Sequence, residues 1–282
     1  MKYLVVVDAF LSSNALASIA LQHGVKTLHV FSSVEKFQEL CKSVNFLLYE
    51  KHFIHRDFEV LCKELGRYQI VACLPGSDSG IVLAEYLSKI FCRMWSNANL
   101  CRDRYLTSLA VGQHAAVSGF KAFVEKHGPC VIKPRIGLGG IDRVSLVNAE
   151  TVGDDESDFF ISPQFIGTEY SVDVVSHRGR HLLTGMFQYV KFEGNPLKRK
   201  RTILVEDSAL QDKAFAYVKS LLDAVGYEFG ATHTEIILDQ AQKFNLVEIN
   251  WRCQGQMALR ALRDSIGLCQ PDALVQSVLG AL

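Results

Sequence analysis

Short apolar runs alternate with amphipathic stretches through the first hundred residues of the chain. Runs such as YLVVV and IVACL are continuously apolar, which is typical of parallel strands covered on both faces. The stretches between them, such as DFEVLCKELGRY and DSGIVLAEYLSKIF, place apolar residues at helical spacing. This alternation with short connections predicts an N-terminal parallel α/β sheet with helices on its faces.

From about Pro129 the pattern changes to strands with an antiparallel character. The strand-like segments are PCVIKP, RVSLV, FFISPQF, EYSVDVVS and HLLTGMFQYV, and the basic run GNPLKRKR that follows them is predicted to be a loop. One long helix, DSALQDKAFAYVKSLLDAVG, precedes a hairpin, and the tail segments MALRALRDSIGL and PDALVQSVLGAL are predicted as closing helices. The fold class is therefore α/β followed by α+β.

Composition narrows the class of protein. The 282 residues are 49% hydrophobic, and their formal net charge of zero provides no field that would attract nucleic acid or an anionic membrane. No apolar run approaches the length of a membrane span, and the N-terminus reaches Asp8 too early for a signal peptide. The eight cysteines form no CxxC pair, which predicts reduced, mostly buried thiols in a cytoplasmic protein.

The stretch THTEIILDQAQKFNLVEINWR, which begins at Thr232, predicts a hairpin with polar residues on one face. Side chains alternate faces along a strand, so Glu248 and Asn250 share a face, and Glu235 lies on the facing strand. Two carboxylates and an amide form a hard-oxygen site that suits Mg²⁺ (or Mn²⁺) held partly by substrate phosphates. Arg252, just beyond, can stabilise charge on a transferring group. An amphipathic hairpin with ordinary polar residues on its solvent face is the alternative.

Two glycine-containing turns are candidates for binding anions. In the first, a strand that ends in Lys133 leads into Gly137, Gly139 and Gly140. Glycines let backbone N–H groups close around phosphate oxygens, and the lysine adds a positive charge. No GK[ST] sequence follows, so this is not a Walker loop, and a glycine-rich hairpin without function is the alternative. The second turn, PGSDSG, leads into a helix and either presents N–H groups to an anion or simply caps that helix.

Taken in order, these segments resemble the ATP-grasp superfamily, in particular its carboxylate–amine ligases of the L-amino-acid-ligase and carbamoyl-phosphate-synthetase-like branch. The resemblance is carried by PGSDSG, RDRY, VIKPRIGLGG, FIGTEYSVDVV and the pair HTEIIL and LVEINWR, and it covers nearly the whole chain. It implies an ATP-grasp fold behind an N-terminal parallel-sheet (pre-ATP-grasp) domain. The expected domains are 1–97 and 98–282, the second with a flap at about 129–166 and a metal-bearing subdomain at about 167–282.

The resemblance also implies a reaction in which ATP, with Mg²⁺ or Mn²⁺, joins a carboxylate to an amine through an acyl phosphate. It assigns Arg252 to catalysis at the acyl phosphate, and it assigns the metal to Glu235, Glu248 and Asn250. The residues that it assigns to ATP binding are Arg104, Lys133, Gly137, Gly139, Gly140, Gln164, Phe165, Ile166 and Glu169.

Substrate contacts are harder to assign than the nucleotide site. The turn with Ser77 and Asp78 is one candidate, because ligands of parallel sheets lie beyond the carboxyl ends of the strands. Lys198 and Arg199 are another, with a solvated loop as the alternative. His233 is expected either to orient substrate or phosphate or to be a hydrogen-bonded structural histidine.

Several positions depart from the family pattern and keep other functions open. Arg104 replaces the usual lysine, the hinge glutamate is replaced or displaced near Gln164, and Trp251 stands where proline is common. These changes would suit an ATP-binding module that no longer ligates, and the basic run would suit an enzyme that modifies a protein or carrier. Kinase-like transfer lacks a catalytic aspartate motif. Small-molecule carboxylate and amine substrates are the main expectation, and because the family is often dimeric, a homodimer stays open.

Overall fold

The computed structural model describes residues 1–10, 13–94, 98–136, 144–155, 157–254 and 269–280, with the backbone alone for 98–99. The N-terminal part contains four parallel strands in one sheet. The strands are β1 (Lys2–Val7), β2 (Lys26–Phe31), β3 (Lys51–Ile54) and β4 (Gln69–Pro75), in the order β3-β2-β1-β4. Its helices are α1 (Ser13–Gln22), α2 (Val34–Leu40), α3 (Phe58–Leu65) and α4 (Ile81–Phe91). Val5, Val6 and Val7 are fully buried because both faces are covered, so the predicted parallel α/β sheet is confirmed.

A small antiparallel sheet follows three short helices. The helices are α5 (Ala98–Arg102), α6 (Arg104–Ala110) and α7 (Phe120–His127), and the strands are β5 (Cys130–Pro134), β6 (Ser145–Val147) and β7 (Phe159–Pro163), in the order β6-β5-β7. Asp103 separates α5 from α6 because its carboxylate caps the N-terminus of α6 and pairs with Arg135. The predicted glycine loop, with Gly137, Gly139 and Gly140, lies outside the described residues.

The third sheet is antiparallel and has five strands. They are β8 (Gly167–His177), β9 (Arg180–Phe192), β10 (Asn195–Leu204), β11 (Phe229–Asp239) and β12 (Phe244–Asn250), in the order β10-β9-β8-β11-β12. The prediction of a loop for the basic run is wrong, because the run belongs to the edge strand β10, which pairs with β9 and has irregular register between Asn195 and Arg201. An edge strand with one exposed side tolerates consecutive charged residues, which also protect the edge from pairing with another chain.

One hydrophobic core joins the first sheet to the third. Helix α8 (Ser208–Ala224) covers one face of the five-stranded sheet, and α9 (Gln270–Leu279) lies between β8 and α1. Gln270, at the start of α9, donates from Nε2 to the backbone carbonyls of Val174 at 3.1 Å and Thr232 at 2.8 Å. The domain boundary expected near residue 97 stays a prediction, and one cluster of buried residues includes side chains from both sides of it. The other predicted tail helix lies outside the described residues.

The described part of the chain contains no helix long and apolar enough to cross a membrane. All eight cysteines are free thiols, and five of them, including Cys73 and Cys253, are buried. This agrees with the prediction of reduced, mostly buried thiols.

Candidate active site

Polar side chains converge on one face of the five-stranded sheet, where β8, β11 and β12 run side by side. The strand register places His233 between Asp173 and Asn250, and it places Glu235 directly opposite Glu248. Side chains on the other face, in contrast, belong to the core under α8. The sheet therefore brings two carboxylates together in the way that the hairpin pattern predicts, because alternation along each strand keeps them on one side.

The two opposed carboxylates each have a positively charged neighbour. Arg104 Nε lies 3.2 Å from Glu248 Oε2, and Arg199 Nη2 lies 3.8 Å from Glu235 Oε1. Asn250 Nδ2 donates to Glu248 Oε1 at 3.0 Å, which leaves its amide oxygen for another donor or a cation. Like charges directly opposite each other in a sheet repel, and these neighbours offset that repulsion. Arg199, a candidate substrate contact, thus lies beside the candidate metal ligand Glu235, and its contact with substrate stays a prediction.

Lys133 reaches the same site from β5. Its Nζ donates to the carbonyl oxygen of Val247 at 3.0 Å, which links the small sheet to the candidate metal strand. Burial lowers the pKa of Lys133, while the Glu248 carboxylate opposes that shift. The lysine and Arg104 therefore present two cationic groups to whatever anion enters from the side of the small sheet.

His233 lies behind Glu235 rather than at the open surface. Its Nδ1 is 2.8 Å from Asp173 Oδ1, and its Nε2 is 2.9 Å from Tyr189 Oη and 3.4 Å from Glu235 Oε1. Burial alone would lower the pKa of His233, but its bonds to the two carboxylates outweigh burial and raise it to about 9. Burial would likewise raise the pKa of Glu235, whereas His233 and Arg199 bring it down to about 2. Glu235 is therefore ionised at neutral pH.

The candidate nucleotide residues lie on and beside β8. Glu169 faces the same side as Glu235 and pairs with Lys191 at 2.8 Å, although burial still raises its pKa. The segment 164–166 connects β7 to β8; the backbone N–H of Gln164 donates to the carbonyl oxygen of Pro129 at 2.9 Å, and Ile166 is 71% exposed. The side chain of Ile166 is therefore accessible to a ligand from solvent.

Arg252 is held by the N-terminal sheet. Its Nε donates to Asp78 Oδ1 at 2.9 Å, and its Nη1 donates to the carbonyl of Cys253 at 3.1 Å. Asp78 follows β4 in the turn predicted to contact substrate, and Ser77 in the same turn bonds to the hydroxyl of Ser79. The turn lies against the end of β1, since the Gly76 N–H donates to Val7 at 2.7 Å. The turn predicted to contact substrate thus meets Arg252, the residue predicted to act at the acyl phosphate.

The remaining member of the basic pair points elsewhere. Lys198 Nζ lies 5.5 Å from the centre of the Phe192 ring, whereas the Arg199 guanidinium lies 3.6 Å from that of Tyr189, beside Glu235. The two side chains thus have different neighbours, and of the two Arg199 is the one that lies beside the candidate metal ligands.

The donor set fits a hard divalent cation. The described residues contain no group of three or more His, Cys, Asp or Glu side chains that could hold a metal ion by themselves. The candidate set here is smaller, with two carboxylates and one amide. A cation between Glu235 and Glu248 would take two carboxylates and the Asn250 amide oxygen, and its other positions would be filled by phosphate or water. Mg²⁺ is usually held in this way, by few protein ligands together with substrate phosphates.

Three members of the polar face escape prediction from the sequence. They are Asp173, Tyr189 and Lys191. A signal for the first exists, because Glu169, Ser171 and Asp173 alternate with apolar residues along β8. Tyr189 and Lys191 are spaced by two on β9, but only the order of the strands shows that β9 lies beside the site.

Comparison with known proteins gives the same picture. The family model for the ATP-grasp domain matches residues 101–256. Dapdiamide A synthase from Enterobacter agglomerans is 26% identical over 313 residues, a match that spans 98% of this chain and 73% of that protein. Among solved structures, the L-amino acid ligase from Bacillus licheniformis superposes with a TM-score of 0.77 at 17% identity, over 100% of this chain and 75% of that one.

A second solved structure is N5-carboxyaminoimidazole synthetase from Staphylococcus aureus complexed with ADP. It has a TM-score of 0.73 at 15% identity and covers 99% of this chain and 78% of that one. The predicted fold class is confirmed, and the predicted class of function, an ATP-dependent ligase that forms C–N bonds, agrees with these relatives. The matched family model spans more than half of the chain, and the chain belongs to the ATP-grasp family.

Proposed function

We propose that this protein activates a small-molecule carboxylate with ATP as an acyl phosphate and transfers the acyl group to an amine. The observation that carries the proposal is the opposed pair Glu235 and Glu248, each with its own arginine on one face of the sheet. Arg104 reaches the pair from the side of Lys133, and Arg199 reaches it from the other edge of the sheet. A divalent cation between the carboxylates would release both arginines for anionic groups of the two reactants.

ATP is proposed to bind between the small sheet and the polar face of the five-stranded sheet. Lys133 and Arg104 would hold its phosphates, since both point to the carboxylate pair from the small-sheet side. Glu169 would accept hydrogen bonds from the ribose hydroxyls, and the segment 164–166 would lie along the adenine. Mg²⁺, bound by the two glutamates and Asn250, would neutralise charge that develops on the transferring phosphoryl group.

The proposed reaction has two steps. A substrate carboxylate oxygen attacks the γ-phosphorus of ATP, the bond from that phosphorus to the bridging oxygen breaks, and ADP leaves. The amine nitrogen then attacks the acyl carbon, the carbon–oxygen bond to phosphate breaks, and phosphate leaves as the nitrogen loses a proton. Arg252 stabilises negative charge on the acyl phosphate and on the tetrahedral intermediate. The protein contributes mainly position and charge rather than a covalent nucleophile.

The charges around the site indicate the kind of substrate. Arg199 lies against Tyr189 beside Glu235, where it is placed to receive a substrate carboxylate. Asp78, at 2.9 Å from Arg252, is placed to receive an ammonium group once the arginine turns to the acyl phosphate. An amino acid carries both groups, so amino acids are the proposed substrate class. A cytoplasmic location and a homodimer remain predictions that accompany this proposal.

The proposal is tested by the release of ADP and phosphate from Mg·ATP in the presence of a panel of amino acids and other small carboxylic acids. Hydroxylamine is included because it traps an acyl phosphate as a hydroxamate. We expect ADP release that depends on one carboxylate, with hydroxamate formed when hydroxylamine replaces the amine. ADP release that is independent of every carboxylate, or that yields no hydroxamate, contradicts the acyl-phosphate route.

The role of the basic pair is tested by two matched variants. Arg199→Ala should raise the KM of the carboxylate that stimulates ADP release, because the guanidinium on the polar face is lost. Lys198→Ala removes the neighbouring charge on the other side of the strand and should leave that KM unchanged. Equal effects of the two substitutions would show that the edge strand acts only through its total charge.

One observation favours a second function, an ATP-binding module without ligase activity. Arg104 already neutralises Glu248 in the described structure, which would lower the need for a cation there. This alternative predicts tight ATP binding with no turnover for any carboxylate in the panel. If turnover then appears when a protein or carrier is added as substrate, the result would instead support an enzyme that modifies a macromolecule.

A further inference from the structure

We propose that Asp173 and His233 form a positioning pair that turns the Glu235 carboxylate towards the candidate cation, an inference that rests on the proposed function. The two residues lie directly opposite each other in the pairing of β8 with β11. Both nitrogen atoms of the imidazole are engaged, Nδ1 by Asp173 at 2.8 Å and Nε2 by Tyr189 at 2.9 Å. The ring therefore cannot rotate without the loss of two contacts.

The contacts to Glu235 favour one of its two oxygen atoms. His233 Nε2 lies 3.4 Å from Oε1, and Arg199 Nη2 lies 3.8 Å from the same atom. Neither of these contacts involves Oε2. Because a carboxylate is planar, neighbours that attract Oε1 also set the direction in which Oε2 points. Oε2 is thus the atom that we assign to the cation, and His233 holds the group in that orientation.

The burial of Asp173 argues that stability is not the reason for the pair. Its side chain is fully buried, and Oδ2 has no hydrogen-bond partner in the described part of the chain. A buried acceptor without a partner destabilises the fold, and well-packed apolar residues often stabilise a sheet as well as a buried ion pair does. Strand β8 has such residues on its other face, Val172 and Val174. A carboxylate retained at this cost fits a role in orienting a ligand through an imidazole.

The test measures cation binding rather than turnover. Mn²⁺ is titrated into the protein with ADP, and the enhancement of water-proton relaxation reports the ternary complex. We expect Asp173→Asn to raise the Mn²⁺ concentration at half-maximal enhancement by roughly 10- to 100-fold, as is typical when a group behind a metal ligand is lost. The matched control is Thr184→Val, which removes a buried 3.0 Å hydrogen bond to the Asp173 carbonyl but leaves its carboxylate intact. The control should bind Mn²⁺ as the unmodified protein does.

Two further variants keep the test informative if Asp173→Asn does not fold. The amide of Gln in His233→Gln lies near the position of Nε2 and can still reach Glu235, whereas the amide of Asn in His233→Asn lies near Nδ1 and cannot. We therefore expect His233→Gln to retain more Mn²⁺ affinity than His233→Asn. Equal affinities would overturn the orienting role, and so would a higher affinity of the Asn variant, which is expected if the histidine serves only to bond Asp173 through Nδ1.

The outcomes separate this inference from the proposed function. The cation site is wrong, and both proposals are overturned, if the unmodified protein gives no enhancement. The same conclusion follows if the Glu235→Gln variant binds Mn²⁺ as tightly as the unmodified protein. If Glu235→Gln loses Mn²⁺ while Asp173→Asn and Thr184→Val both bind normally, the pair is only structural. In that case the positioning role is overturned and the ligase proposal stands.

Discussion

A buried histidine in the N-terminal sheet should make the fold sensitive to acid. His29 has no exposed surface, and its Nε2 accepts a hydrogen bond from the backbone N–H of Ala9 at 2.9 Å. Its Nδ1 lies 3.5 Å from Nδ1 of His52, and the rings of Phe31 and Tyr49 pack beside it. Burial, with a smaller contribution from His52, lowers the pKa of His29 to about 3.

The sign and size of the effect follow from proton linkage. An unfolded histidine has a pKa of about 6.5, so below that pH the unfolded chain takes up a proton that the folded chain excludes. The contribution of the neutral imidazole is therefore fully present above about pH 6.5 and falls as the pH drops towards about 3. The slope is about 1.4 kcal/mol per pH unit, and the loss at pH 5 is about 2 kcal/mol.

The assay is urea unfolding at about pH 7.5 and about pH 5, with the free energy of unfolding obtained at each pH. His29→Gln keeps an acceptor for the Ala9 N–H but does not titrate, so the variant should lose about 2 kcal/mol less on acidification than the unmodified protein. His114→Gln, which replaces an exposed histidine, is the control, and its pH dependence is measured beside that of His29→Gln. An identical pH dependence for His29→Gln and the unmodified protein would refute the reasoning.

Three further expectations concern the site and the fold. Glu248→Gln should abolish Mg²⁺-dependent ATP turnover while circular dichroism stays unchanged; normal turnover would remove it from the metal site. Lys133→Ala should weaken ATP binding by roughly 10- to 100-fold, which corresponds to the loss of one charge-assisted hydrogen bond. Calorimetry measures the ATP affinity, and an unchanged affinity would contradict this expectation. Gly167→Ala should lower the free energy of unfolding by about 1–3 kcal/mol, because the new Cβ would collide with the backbone carbonyl of Leu238. Gly153→Ala is the matched control, since a Cβ there would meet no atom within 4 Å. Equal melting temperatures of the two variants would count against the packing argument.

The polar face of the site is the part that the sequence predicts best. Strand alternation alone places Glu235, Glu248 and Asn250 on one side of a hairpin, and the structure confirms that placement. The same local rule explains the apolar runs of the parallel sheet and the helices between them. These features depend on periodicity within a few residues, and periodicity can be recognised in a linear chain.

The basic run shows where local reasoning fails. Four consecutive charges favour a solvated loop, yet residues 195–204 form β10, because backbone pairing with β9 outweighs the weak strand propensity of lysine and arginine. Once the run is a strand, its residues divide between two faces. Arg199 then lies beside Glu235, and Lys198 lies over Phe192.

Long-range contacts complete the site, and nothing in the linear pattern specifies them. Arg252 bonds to Asp78 across 174 positions of sequence, and Asp173 bonds to His233 across 60. Each of these pairs depends on how sheets and strands are ordered in space, which is decided by the packing of the shared core. The sequence by itself therefore determined the types of element, the family and the face that carries the carboxylates. The tertiary structure decided which cation meets which carboxylate, because charge partners are chosen by proximity after the sheets have packed.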